Sequence, residues 1–177
     1  MKSEVEKIQQ LLPKRKNIRL KGFDYSGDGY YFVTVCTHNK ENVFGEIVDG
    51  EMKLNSFGAF AQNELNKLPY HFCYTELDKY IIMPNHIHAI IIIVGNGLDH
   101  SENNKTERSR PFPTIPKILG LYKSGVSRSI HLINPDIKVW QKSYHDHVIR
   151  NMQDYQRIWE YINTNPLKWE EDCYYIA

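Results

Sequence analysis

Apolar and polar positions follow two different rhythms along the chain, and the switches between them mark out its elements. Tyr31-Phe32-Val33-Thr34-Val35-Cys36-Thr37 is an aromatic and β-branched run, which predicts a strand because such side chains fit a pleated surface. Short apolar flanks from Glu46 to Leu54 enclose Asp49-Gly50, a dipeptide favoured in primed turns, so a hairpin is expected there. Asn55 or Ser56 can cap the helix that follows. Phe57, Phe60, Ala61, Leu65 and Leu68 form its apolar stripe, and Pro69 is expected to close it. A strand over about 72–82 comes next, and the turn signal Met83-Pro84-Asn85 implies that the run HIHAIIII returns antiparallel to it. Thr114 can cap a second helix carrying Ile115, Ile118, Leu119, Tyr122, Val126 and Ile130 on one side and ending before Asn134-Pro135. A strand over 139–149 and a helix over about 152–165 complete the series, with Tyr155, Ile158, Trp159 and Ile162 as the helix's expected buried stripe.

Strand, hairpin, helix, two hairpin-linked strands, helix, strand, helix is the order of an α+β fold with an antiparallel sheet and packed helices. A ferredoxin-like arrangement suits it best. Residues 1–22 fall outside this pattern. They are read as a short amphipathic helix (Val5, Ile8, Leu11, Leu12) stopped by Pro13, followed by the basic arm KRKNIRLKG. Residues 23–177 are expected to form one domain, interrupted at 96–113 by a loop of Gly, Asn, Ser, Glu, Lys, Arg and Pro that is expected to be flexible.

Composition changes this picture little, whereas charge placement changes it more. A chain of 177 residues can bury a core without staples. Cys36, Cys73 and Cys173 are odd in number, far apart and outside any Cys-x-x-Cys pattern, which argues against a disulfide framework or a thiolate zinc site. The polar N-terminus lacks an apolar signal core and no run reaches the 18 apolar residues of a membrane span, so a soluble, cytoplasmic protein is expected. The net charge of +1 hides two acid-free basic clusters. One is Lys14, Arg15, Lys16, Arg19 and Lys21 in the arm; the other is Arg108, Arg110, Lys117, Lys123 and Arg128. Together they suit a polyanion such as DNA, and Phe23 and Tyr25 could stack on bases or pack in the core.

The candidate chemistry lies in the strand HIHAIIII. Side chains alternate faces along a strand, so His86 and His88 point the same way with Cβ atoms about 7 Å apart. Such a pair either holds a divalent cation between neutral imidazoles or is satisfied by other polar partners in the core. His145 and His147 have the same spacing on a more polar strand and are read as solvated or supporting. On the last helix, Tyr161 and Asn165 are i, i+4 neighbours on one flank of the apolar stripe. A tyrosine beside a metal can serve as a nucleophile, and the Asn165 amide oxygen could complete a two-histidine, one-oxygen site suited to Mg²⁺ or Mn²⁺.

His86-Ile87-His88 has the form of the HUH motif. The segments RKNIRLKGFDYSGDGYYFVTVCTHNK, FGEIVDGEMKLNSFG, LDKYIIMPNHIHAI, VWQKSYHDHVIRN and YINTNPLKW occur in the order found in a known group. Over most of residues 15–169 the chain resembles the REP-associated tyrosine transposases, single-tyrosine HUH enzymes of the insertion sequence 200-like superfamily. The resemblance implies a ferredoxin-like domain with Tyr161 as nucleophile and His86, His88 and Asn165 as ligands of Mg²⁺ or Mn²⁺. It also implies cleavage and rejoining of single-stranded or hairpin DNA through a 5′-phosphotyrosine link, while a monomer and a homodimer both stay open; the basic clusters, by their charge, make Lys14, Arg15, Lys16, Arg19, Lys21, Lys117, Lys123 and Arg128 the expected DNA contacts. Two rival readings are a non-catalytic nucleic-acid-binding protein and a metal-dependent phosphoesterase that makes no tyrosyl intermediate.

Overall fold

The structure is a computed structural model in which residues 29–94 and 114–176 are described; the N-terminal arm and the 96–113 loop lie outside that set. Four strands make the main sheet: β1 (Gly29–Cys36), β4 (Thr75–Ile82), β5 (His86–Ile93) and β6 (His145–Ile149). Their order is β4-β5-β1-β6, and every neighbouring pair is antiparallel. With α1 (Ser56–Asn66) between β1 and β4, and α3 (Ile115–His131) between β5 and β6, this is the β-α-β-β-α-β ferredoxin-like arrangement the pattern predicts. A short turn of helix, α2 (Leu68–His71), follows α1, and α4 (Met152–Thr164) runs into a 3-10 turn over Asn165–Glu171. Among the described residues no helix is long and apolar enough to cross a membrane.

Local chemistry explains most of the boundaries. The hairpin of β2 (Gly45–Val48) and β3 (Glu51–Leu54) turns at Asp49 and Gly50, whose φ angles of 53° and 75° are the left-handed pair a type I′ turn needs. The Asn55 side chain caps α1 by accepting from the Gly58 amide at 2.9 Å. Gly58 allows the chain to pass close to β2, since a Cβ there would lie 2.2 Å from the Phe44 carbonyl oxygen. All six residues of the expected α3 stripe are buried. Thr114 occupies the N-cap position of α3 without a capping side-chain bond.

Four expectations are corrected. Pro69 does not end α1, which stops at Asn66; the proline opens α2, where its missing N–H costs nothing. The strand expected over 72–82 starts at Thr75, and the one expected over 139–149 is regular only from His145. Val139 and Trp140 still pack inward, but as a loop: the Trp140 indole donates to the Lys123 carbonyl, and its backbone makes one isolated bridge to Thr37. Their apolar character comes from this burial rather than from a ladder. Trp159, expected in the buried stripe of α4, is 39% exposed because only Ile158 and Ile162 reach the sheet squarely.

The sheet is covered on both faces, which is why β5 is apolar nearly throughout. Tyr31, Val33 and Val35 of β1 and Ile87, Ala89, Ile91 and Ile93 of β5 pack under α1 and α3. Phe32, Ile81, Ile90 and Ile149 form the other, smaller core with Ile158 and Ile162 of α4. That second core fixes α4, and therefore Tyr161, over the histidine face. Ile162→Ala is expected to cost about 2–5 kcal/mol, the range for deleting a fully buried large aliphatic side chain; denaturant melts measure it, and a loss below about 1 kcal/mol would mean that α4 is not held by this contact.

Candidate metal and nucleophile site

On the α4 face, β5 pairs His86 with Cys36 and His88 with Thr34 of β1, and the even-numbered positions point towards the helix. His86 and His88 are both buried, and their Nε2 atoms are 3.0 Å apart. Each ring is held from behind. His86 Nδ1 lies 2.9 Å from Asn85 Oδ1, while the Asn85 amide nitrogen donates to the carbonyls of Lys40 and Tyr174. With its nitrogen so engaged, Asn85 offers only an acceptor to His86, so Nδ1 carries the hydrogen and Nε2 keeps a lone pair facing His88. His88 Nδ1 is 2.8 Å from the Thr34 hydroxyl, a group that can donate or accept. Aromatic walls enclose the pair: Phe32 stacks on His88 at 5.2 Å and Tyr174 lies 4.5 Å from the His86 ring centre.

The last helix and the segment after it complete the site. The Tyr161 hydroxyl is 3.2 Å from His88 Nε2 and donates to Asp172 Oδ2 at 3.0 Å. Asn165, the residue expected one turn after Tyr161, is buried; its amide nitrogen donates to the same Asp172 oxygen, and its Oδ1 is buried with no hydrogen-bond partner. The other Asp172 oxygen accepts from the Tyr174 amide. His86, His88 and Asp172 each offer a ligand atom, all within 4.8 Å of one another, so the trio could hold a metal ion. The donor set fits a divalent cation. It has two imidazoles facing each other with hydrogen-bonded back sides, a carboxylate, and a buried amide oxygen whose bonding capacity is unused. An open cleft of about 120 Å³ lined by Tyr161, Thr164, Asn165, Lys168, Glu171 and Asp172 leads to it from solvent.

The electrostatics agree with a site built for a cation. Burial, aided by the Lys40 charge, pushes His86 down to about 3, and burial with the neighbouring His86 holds His88 well below its usual range. Both rings are therefore neutral at physiological pH, the form that ligates metal. Burial and the adjacent Asp172 carboxylate raise Tyr161 above the ordinary phenol range, so the hydroxyl is protonated in the metal-free protein.

The sequence-derived residues divide cleanly. His86, His88, Tyr161 and Asn165 come together. His145 lies on the same face, paired with Thr34 and so in the cross-sheet row of His88, about 10 Å away across two strand spacings. His147 is engaged with Asp154 at 2.6 Å on the surface. Lys117 and Arg128 are exposed on α3, behind the opposite sheet face from Tyr161. The Lys123 ammonium donates to the carbonyls of Gln141 and Ser143 and lies over the Trp140 ring. Lys14, Arg15, Lys16, Arg19 and Lys21 lie outside the described residues. Sequence reading missed Asp172, Asn85, Thr34, Tyr174 and Lys168. Asn85 sits beside the histidines in MPNHIH and was legible only as a turn residue.

No family model matches the chain. Over 168 residues, 92% of this chain and 93% of the other, it is 35% identical to an uncharacterized protein of Haemophilus influenzae (strain ATCC 51907 / DSM 11121 / KW20 / Rd). Among solved structures it is similar to a REP-associated tyrosine transposase bound to a REP hairpin, with a TM-score of 0.57 and 18% identity over 85% of this chain and 74% of that one. This second likeness is one of fold.

A neutral, buried histidine pair has a thermodynamic signature. Both folded-state pKa values lie below that of a free imidazole, so their contribution to stability is complete above about pH 6.5 and is lost as pH falls towards about 3. In metal-free buffer the melting temperature should fall from pH 7 to pH 4, and a His86→Gln/His88→Gln double variant should fall less steeply. Equal slopes would contradict the burial of neutral rings.

Proposed function

Because the chain belongs to one family with the Haemophilus influenzae protein and shares the fold of a REP-associated tyrosine transposase, we propose that it is an HUH tyrosine transposase. In this reading it is a single-strand endonuclease that cleaves and rejoins hairpin-bearing DNA through Tyr161. The observation that carries the reading is the Tyr161 hydroxyl 3.2 Å from His88 Nε2, where a buried histidine pair, Asn165 and Asp172 converge. A tyrosine that was only structural would not need, as neighbours, two buried imidazoles whose Nε2 atoms face each other.

The Tyr161 oxygen attacks the phosphorus of a phosphodiester lying in the cleft. A bond forms from that oxygen to phosphorus and the bond to the 3′ oxygen breaks, leaving a 5′-phosphotyrosine and, after protonation by solvent, a free 3′-hydroxyl. The phenolic proton passes to the Asp172 carboxylate that already accepts it. A phosphodiester-level bond is kept, so the reverse attack by a 3′-hydroxyl rejoins strands without a nucleotide cofactor. Mg²⁺ or Mn²⁺ held by His86, His88 and an oxygen from Asn165 or Asp172 would supply positive charge to the scissile phosphate in the transition state. The Thr34 hydroxyl can rotate to accept from His88 Nδ1, which frees His88 Nε2 as a second lone pair. Lys168, exposed on the cleft wall, is suited to contact the phosphate backbone. Lys117 and Arg128 face a different side of the molecule, so any DNA they hold is remote from the scissile bond.

Incubating the full chain with labelled single-stranded hairpin DNA and Mn²⁺ should give a covalent protein–DNA adduct on a denaturing gel. Tyr161→Phe should reduce it by at least about 10³-fold, and His86→Ala should abolish it while leaving DNA binding within a few-fold. Undiminished cleavage by Tyr161→Phe would favour a phosphoesterase instead. DNA binding without cleavage in any divalent metal would favour a non-catalytic nucleic-acid-binding protein.

A further inference from the structure

The Asn165 carboxamide and the Asp172 carboxylate have an asymmetric relationship. An amide side chain can present oxygen on either arm, and the two orientations are nearly isosteric. Here Asp172 Oδ2 accepts from Asn165 Nδ2. Turning the amide over would set two acceptor oxygens against each other at hydrogen-bond distance, in a partly buried position where such repulsion is weakly screened. The carboxylate therefore forces the Asn165 oxygen to the opposite side, where it is buried and unpartnered. Asp172 is itself anchored, with its other oxygen accepting from the Tyr174 amide at 2.7 Å and Tyr174 packed on His86. It also sets the direction of the Tyr161 hydroxyl through the oxygen that holds the amide.

We propose that Asp172 is a positioning residue which, through the Asn165 amide nitrogen, turns the Asn165 oxygen into the site between His86 and His88 as the third metal ligand. Asp172 then acts on the cation through Asn165 rather than by ligating it directly, although its own oxygen lies close enough to compete. The inference rests on the metal-centre reading of the site and adds a division of labour within it. The stretch from Asn165 to Asp172 is the means: a 3-10 turn over Asn165–Glu171 brings the chain back so that its next residue faces the helix end it has just left.

A double-mutant cycle read by Mn²⁺ affinity tests it without using DNA chemistry. Free Mn²⁺ is titrated by electron paramagnetic resonance against the full chain and its variants, each checked for folding by near-UV circular dichroism. Asp172→Ala should weaken Mn²⁺ binding about 10-fold or more, the usual consequence of removing a partner that orients a ligand. In the Asn165→Asp background the same change should cost less than about 2-fold, because a carboxylate presents an oxygen whichever way it is turned. Asp172→Asn, whose amide oxygen can still accept from Asn165, should stay within about 3-fold of the unaltered protein. Equal losses from Asp172→Ala in both backgrounds, or a full loss in Asp172→Asn, would show direct ligation and overturn the inference. So would no loss from Asp172→Ala. Failure of the unaltered chain to bind Mn²⁺ would overturn the metal centre itself and the inference with it.

Discussion

Two imidazole nitrogens facing each other at 3.0 Å in a buried, two-sided sheet are the constraint on which the rest depends. Burying two titratable rings is unfavourable unless they are neutral and each has a polar partner. Asn85 and Thr34 supply those partners from behind, and the surrounding rings of Phe32 and Tyr174 exclude water. The front of the pair is left facing a phenol, an amide and a carboxylate. A core that needed only packing would have placed aliphatic side chains at positions 86 and 88, as it does at 87, 90 and 91.

The scaffold then does one thing for this pair: it brings the chain's last helix across it. Ile158 and Ile162 fasten α4 to Ile90 and Ile149, and the helical period places Tyr161 beside His88 as a result. The 3-10 turn that follows returns Asp172 to the same spot. Residues far apart in sequence thus meet at one end of the sheet, with an open cleft beside them, while the opposite face under α1 and α3 holds the larger core. The larger core lies on one side of the sheet, and the chemistry shares the other side with the smaller core that holds α4.

How much of this could be read from the residues follows from the range of each interaction. The hairpin at Asp49-Gly50, the α3 stripe and the shared face of His86 and His88 are set by neighbours within a few positions, and each is present in the structure. Tyr161 and Asn165 were legible because a helix fixes their relation at i, i+4. Asp172 was not, since its approach depends on a 3-10 turn and on the fold of the end segment, neither of which leaves a period in the sequence. Trp159 misled for the converse reason. Its apolar character fits the stripe, but the sheet under α4 is too narrow to cover that flank, and the ring stays on the surface beneath the Lys79 ammonium at 4.2 Å. Lys123 looked like a free cation in an acid-free run and instead holds two carbonyls of the loop after Trp140.

If the buried histidine pair is one half of a divalent-metal centre beside Tyr161, the ion itself can be located. Anomalous diffraction from crystals of the full chain grown with Mn²⁺ tests it most directly. A single strong anomalous peak is expected within coordination distance of His86 Nε2 and His88 Nε2, with a side-chain oxygen from the α4 end completing the protein ligands. Crystals that show no peak there under Mn²⁺ concentrations supporting strand cleavage, or a peak bound only by surface carboxylates, would contradict it.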